Sequence, residues 1–263
     1  MKPDYKNWVP KNMVIGFWSG TAVSAGVTAF FAAAGFVVGA VWAKAVFGVF
    51  LAVTVVLAVV ATFMQTWYNA FSYTGKRKLS KDVVEGTAKF VTVPENGTCL
   101  DVGCGSGALS IAVAKRNENA KIVGVDRWGK EYASFSLALC ESNARAEGVK
   151  NASFEKGDAT KLPFEDETFD AVTSNYVYHN IPSKDRQAIL LETLRVLKKR
   201  GTFALHDLFT KQKYGDMEAF VKKLRENGYE KVELIDTTKG LFMTEKEAKR
   251  LFLQGSAILV GKK

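Results

Sequence analysis

Apolar and polar positions divide this chain near residue 75. From Met13 to Ala43 no residue is charged, Lys44 stands alone, and the charge-free run resumes from Ala45 to Gly75. A bilayer core about 30 Å thick is crossed by about 20 apolar residues at 1.5 Å rise each. The stretch is long enough for two crossings. The sequence therefore predicts a helical hairpin with spans at about 13–34 and 45–68, with Gly35, Gly39 and Lys44 in or near the turn. A cleaved signal peptide has an apolar region of only about 7 to 15 residues, so the hairpin is expected to stay in the mature protein. Residues 1–75 form a membrane anchor in this reading, and residues 76–263 a separate domain.

Lys2, Lys6 and Lys11 precede the first span, and Lys76, Arg77, Lys78 and Lys81 follow the second. The positive-inside bias then puts both termini and the following domain in the cytoplasm, as in a multi-pass cell-membrane protein. Trp8, Trp67, Tyr68 and Tyr73 fall at the cytoplasmic interface and Trp42 near the opposite one. Gly16, Gly20, Ser24 and Thr28 make one small-residue face on the first span. It can pack against the second span, or against another copy as a homodimer contact.

Beyond Lys81 short apolar runs alternate with amphipathic segments. Strands are expected at Thr98–Val102, Lys121–Asp126, Ala152–Lys156, Phe169–Ser174, Gly201–Asp207, Lys231–Asp236 and Ser256–Gly261. Helices are expected at Lys81–Phe90, Ala108–Arg116, Glu131–Glu147, Lys184–Lys199, Asp216–Asn227 and Thr244–Leu253. That order implies a doubly wound α/β sheet with parallel strands, in which ligands bind at the carboxyl ends. The run Lys198-Lys199-Arg200 reads as a solvated helix end favoured by the helix dipole.

Composition adds charge to this picture. The 263 residues carry Lys+Arg 36 against Asp+Glu 27, a net charge of +9. The basic flanks of the apolar spans point to an anionic lipid surface, and no nucleic-acid partner is expected. Cys99, Cys104 and Cys140 lack Cys-x-x-Cys pairing, which suits a reducing compartment and argues against a metal site.

The segment "CLDVGCGSGALSIAVAKR" (99–116) joins a strand to a helix through Gly103, Gly105 and Gly107. Glycine there lets a ligand approach the backbone. Gly103, Gly105 and Ala108 also satisfy a G-x-G-x-x-A dinucleotide fingerprint, so an NAD-dependent dehydrogenase is one reading. Asp101, two residues ahead of the first glycine, suits a cationic amino group better than a pyrophosphate. Asp126 ends the second strand, where it can accept from ribose hydroxyls. Gly157-Asp158-Ala159 follows the third strand, ahead of Leu162-Pro163-Phe164 and Phe169-Asp170.

In this combination residues 81–263 resemble class I S-adenosylmethionine-dependent methyltransferases, and within them the quinone-biosynthesis branch. The resemblance implies a Rossmann-like seven-stranded sheet with an antiparallel last strand and S-adenosyl-L-methionine as cofactor. It implies Asp101 and the loop of Gly103, Cys104, Gly105 and Gly107 around the methionine part. Asp126 would bind the ribose, with Arg127 or Trp128 over the adenine. Asp158 and the Ala159 amide would read the adenine edge, with Asn175 closing the cofactor site.

Methyl transfer needs an acceptor held close and dry, and a base where the acceptor carries a proton. His179 and His206 both fall at strand ends, and His179, Tyr178 and His206 are the catalytic candidates. With little chain left for a substrate cap, the segment emerging from the membrane is expected to border the acceptor opening. The acceptor is then lipophilic or lipid-attached: a quinone, a polyisoprenoid or a lipid headgroup. A non-catalytic S-adenosylmethionine-binding membrane scaffold is the alternative from another class.

Overall fold

The computed structural model describes residues 2–129 and 134–263. The chain forms two compact units, one of residues 7–80 and one of residues 2–6 together with 81–263. The division falls at residue 80 rather than 75, and the first residues belong with the second unit.

The first unit is a helical hairpin. Helix α1 (Lys11–Ala32) continues into a π-helical turn at Ala33–Val37, and α2 (Val41–Phe71) returns antiparallel to it. Both are long and apolar enough to cross a membrane. The reversal is sharper than expected: Gly39, at φ +83°, makes it, while Lys44 lies inside α2 with its ammonium 5.2 Å from the Phe36 ring centroid. Val23, Phe30, Val55 and Val59 stand on the outside, each more than half exposed. The inside carries hydroxyls. Ser24 Oγ and Thr54 Oγ1 lie 2.8 Å apart, Thr28 Oγ1 is 3.1 Å from Thr54 Oγ1, and Thr54 and Thr28 also donate to the carbonyls of Phe50 and Ser24. In an apolar medium such hydroxyls need partners within the protein. The small-residue stripe is thus spent inside the chain, since Ser24 and Thr28 are buried and Gly20 faces Leu57. Of the two readings of that face, these contacts are those of packing against the second span, while Gly16 at its end has nothing within 4 Å of an added Cβ.

The second unit begins, after residues 2–6, within α3 (Leu79–Ala88). It continues through β1 (Thr98–Val102), α4 (Ala108–Arg116), β2 (Lys121–Asp126), α5 (Leu137–Ala146), β3 (Ala152–Lys156) and β4 (Phe169–Asn175). There follow α6 (Arg186–Arg195), β5 (Leu197–Leu208), the short α7 (Lys211–Tyr214), α8 (Met217–Glu226), β6 (Glu230–Asp236), α9 (Glu245–Arg250) and β7 (Ser256–Lys262). The helix expected from Glu131 falls partly on residues outside those described. Its described part starts at Leu137, where Ser136 Oγ accepts the Leu139 N–H.

The seven strands lie in the order β3-β2-β1-β4-β5-β7-β6, with β7 antiparallel to both neighbours. Successive residues point to opposite faces of the sheet. Leu100, Val172, Leu205 and Leu259 therefore meet Leu190 and Leu194 of α6 and Leu224 of α8. Cys99, Ala171, Ala204 and Ile258 face the other way, where their smaller side chains admit Val84 of α3 and Leu109 and Val113 of α4. The Lys198-Lys199-Arg200 run corrects the sequence expectation. It belongs to β5, after α6 has ended, and Lys198 Nζ pairs with Asp170 at 2.9 Å.

Candidate functional site

The carboxyl ends of β1 to β5 supply the site. At the end of β1 the chain reverses through the glycine loop. Gly103 must be glycine for space, because a Cβ there would lie 2.4 Å from Val177 Cγ2. Gly105 differs: at φ +56° its nearest neighbour to an added Cβ is the Phe135 ring, 3.9 Å away. That bare, left-handed backbone is open enough for a ligand to approach.

Asp126, ending β2, organises this loop. Its Oδ2 accepts the Gly105 N–H at 2.9 Å and its Oδ1 accepts the Trp128 N–H at 2.7 Å. Trp128, at φ +44°, turns its indole N–H onto the Gly105 carbonyl at 3.0 Å. The indole therefore lies on the loop, while Arg127 is exposed. Cys104 is buried with its N–H on the Val125 carbonyl, so its part in the loop is structural.

After β3, Asp158 Oδ1 accepts from the Thr160 N–H at 2.8 Å and the Thr160 hydroxyl at 2.6 Å. Those bonds, with the charge of Arg127, hold its carboxyl below the usual range. Ala159 next to it packs on the core. Asn175, ending β4, accepts the His206 Nδ1–H on its Oδ1 at 2.7 Å.

Asp101 lies beneath the loop rather than at its surface. It is 1% exposed, with Oδ2 accepting from Ser110 at 2.5 Å and Oδ1 from Thr173 at 3.1 Å. Burial outweighs these bonds and pushes its carboxyl up to about 7, from 3.8. Asp101 thus lies under the loop with both carboxylate oxygens engaged within the protein. The raised value means that the fold is penalised when Asp101 ionises. The penalty is absent below about pH 4, grows towards pH 7, and is complete above it, reaching at most about 4 kcal/mol. Asp101→Asn is thus expected to raise Tm more at about pH 8 than at about pH 5 while weakening S-adenosylmethionine binding. Thermal scans and calorimetric titrations at both pH values check this, and equal Tm gains would contradict it.

The three catalytic candidates separate. Tyr178 is fully buried with its hydroxyl 3.0 Å from Thr193 Oγ1, so it belongs to the core. His206 is also fully buried, its Nε2 3.0 Å from Ser256 Oγ and 3.1 Å from Thr237 Oγ1. Burial drives its pKa down to about 3, so it stays neutral and cannot serve as a proton acceptor for a substrate. Both assignments are corrected for the same reason: a strand end need not face outward.

His179 is the candidate whose side chain retains exposure. β4 ends in a kink at Tyr176, at φ +55°, followed by a tight turn at Tyr178–Asn180. Asp207 caps that turn. Its Oδ2 accepts the backbone N–H of Tyr178 at 2.8 Å and of His179 at 3.3 Å, and its Oδ1 lies 2.5 Å from His179 Nδ1. Burial would raise the carboxyl of Asp207, but the His179 bond and charge hold it low. Asp207 is inaccessible, whereas the His179 side chain retains 15% exposure. Tyr176 stands edge-on to His179 at 6.0 Å and bonds Ser256 through its hydroxyl at 2.6 Å. Sequence reasoning missed Asp207, although a carboxylate following His206 on a strand must face the opposite way.

A family profile described as a methyltransferase domain matches residues 94–255, well over half of the chain. This chain belongs to the methyltransferase-domain family. Its cofactor is S-adenosylmethionine, and the dehydrogenase reading of the glycine fingerprint is overturned. The open backbone at Gly105 and the acids at the ends of β2 and β3 fit that cofactor's ammonium, ribose and adenine.

Demethylmenaquinone methyltransferase of Bacillus subtilis (strain 168) is 30% identical over 135 residues, which is 51% of this chain and 55% of that protein. The same enzyme of Alkalihalophilus pseudofirmus is 34% identical over 116 residues, 44% of this chain and 46% of the relative. The methyltransferase domain thus accounts for a match over about half the length of these curated relatives. Among solved structures, the cyclase SpnF has a TM-score of 0.55 at 20% identity, covering 73% of this chain and 85% of that one. The CurJ carbon methyltransferase has a TM-score of 0.52 at 17% identity, covering 75% and 58%. At these identities the likeness is one of fold.

Proposed function

We propose that this protein is a membrane-anchored S-adenosylmethionine-dependent methyltransferase acting on a lipophilic or membrane-lipid acceptor. The observation that carries the chemistry is the His179–Asp207 pair. Buried Asp207 takes the Nδ1 side of the ring, which leaves Nε2 as the ring nitrogen available to an acceptor. A base is needed where the methylated atom must lose a proton, as a phenol or an acidic ring carbon does. Among quinones, polyisoprenoids and lipid headgroups, a reduced quinone ring meets that need directly, in keeping with the names of the curated relatives. S-adenosylmethionine supplies the electrophilic methyl group when bound. Asp126, Trp128 and the Gly105 backbone would hold it, with Asp158 at the adenine edge.

The two apolar helices support attachment to a bilayer, and the flanking lysines support a cytoplasmic domain. Confinement to the same surface raises the effective concentration of a bilayer-dissolved acceptor. Two measurements test this reading. Purified protein in native membrane lipid should convert S-adenosylmethionine to S-adenosylhomocysteine and add one CH₂ to a quinone-sized lipid by mass spectrometry. Absence of turnover with any membrane extract would favour the non-catalytic scaffold instead. For orientation, a cysteine placed beside Lys44 should label from outside intact cells and one beside Lys78 should not. The native cysteines are all buried and give little background. The reverse pattern would leave the domain on the wrong side for its cofactor.

A further inference from the structure

We infer that the N-terminal segment, residues 2–6, is a working part of the cofactor site, coupled to the glycine loop through Asn143. This rests on reading that loop as the S-adenosylmethionine cradle. Asn143 lies on α5 and is 1% exposed. Its Oδ1 accepts the Asp4 N–H at 2.7 Å, and its Nδ2 donates to the Asp4 carbonyl at 3.0 Å. One carboxamide thus satisfies both backbone polar groups of Asp4. The same Nδ2 donates to the carbonyl of Ser106 at 2.9 Å, in the middle of the loop between Gly105 and Gly107. One turn further along α5, Glu147 accepts the Tyr5 hydroxyl at 3.1 Å and pairs with Lys115 of α4.

The segment is docked by side chains that bind its backbone, with Tyr5 buried to 6% exposure. Past Asp4 the chain turns at Lys6, at φ +56°, where the Lys6 N–H returns to Asp4 Oδ1 at 3.1 Å. In sequence the next residues lead into α1. A buried carboxamide shared by two backbones holds its orientation only while both are present. Removing the Asp4 peptide frees Asn143 to rotate and leaves the Ser106 carbonyl without its donor. Asn143 is therefore a positioning residue for the loop, and Asp4 is its lock.

The full chain in lipid nanodiscs provides the test, through Asp4→Ala, Asp4→Pro, Asn143→Ala and the double variant Asp4→Pro/Asn143→Ala. Alanine and proline both delete the carboxylate, but only proline deletes the N–H. Relative to Asp4→Ala, Asp4→Pro is expected to weaken S-adenosylmethionine binding about fivefold. It should also speed amide hydrogen exchange at residues 103–107 in cofactor-free protein, with exchange through the sheet unchanged. The double variant should bind no more weakly than Asn143→Ala, because both changes break one connection. The inference is overturned if Asp4→Pro matches Asp4→Ala in both readouts, if the two substitutions add, or if exchange rises through the sheet and not at the loop. Wild-type protein that fails to bind S-adenosylmethionine would instead refute the reading of the loop, and the exchange comparison would still test the coupling.

Discussion

Replacing His179 by alanine is expected to lower methyl transfer about 10² to 10⁴-fold, the range typical of a lost general base, with S-adenosylmethionine affinity nearly unchanged. The binding should survive because Asp126, Trp128 and Gly105 are linked to one another and to no atom of His179. Asp207→Asn tests the other half of the pair. Two backbone N–H groups reach Oδ2 against one, of Leu208, at Oδ1, so the carboxamide oxygen is favoured at the Oδ2 position and its nitrogen is turned towards His179 Nδ1. That nitrogen donates a hydrogen, which forces the imidazole proton onto Nε2 and blocks the base. A loss comparable to that of His179→Ala, and no further loss in the double variant, is the expected result. Full turnover in a folded His179→Ala protein would remove the base from the mechanism.

Asp126→Ala should weaken S-adenosylmethionine binding by about 10² or more. The change removes the proposed ribose acceptor and also releases the Gly105 and Trp128 amides, each a bond to a charged group worth about 1.5 to 3 kcal/mol. Trp128 sits in a left-handed conformation that its neighbours must maintain, so the indole is expected to leave the loop as well. Trp128 fluorescence in the variant reports that second effect independently of the cofactor, provided the other tryptophans are replaced by phenylalanine. Wild-type affinity in a folded Asp126→Ala protein would contradict the assignment.

Several elements were legible from residue pattern alone. The strands β1, β2 and β3 and helix α4 fall within the expected bounds, since short apolar runs alternating with amphipathic segments leave few alternatives. The two charge-free runs announced a pair of long apolar helices. The glycine loop and the acids at the ends of β2 and β3 were visible as strand-to-helix junctions carrying polar groups. The β5 boundary was not, because Lys198-Lys199-Arg200 suits either a helix end or an edge of a strand. Pairing of β5 with β4, which begins at Leu197 opposite Phe169, set it.

What the sequence determined by itself is the set of elements, their order, and the edge of the sheet at which polar residues gather, because these follow from local periodicity and the chemistry of turns. Which of those polar residues face outward was decided by the tertiary structure. His179 and His206 are equivalent as residues near strand ends, yet one retains exposure beside Asp207 while the other is enclosed by Thr237, Ser256 and Asn175. Exposure and pKa depend on neighbours contributed by β6, β7 and the tight turn after β4. No pattern within a single segment encodes those distances, and the docking of Asp4 on Asn143, across 139 residues of chain, is of the same kind.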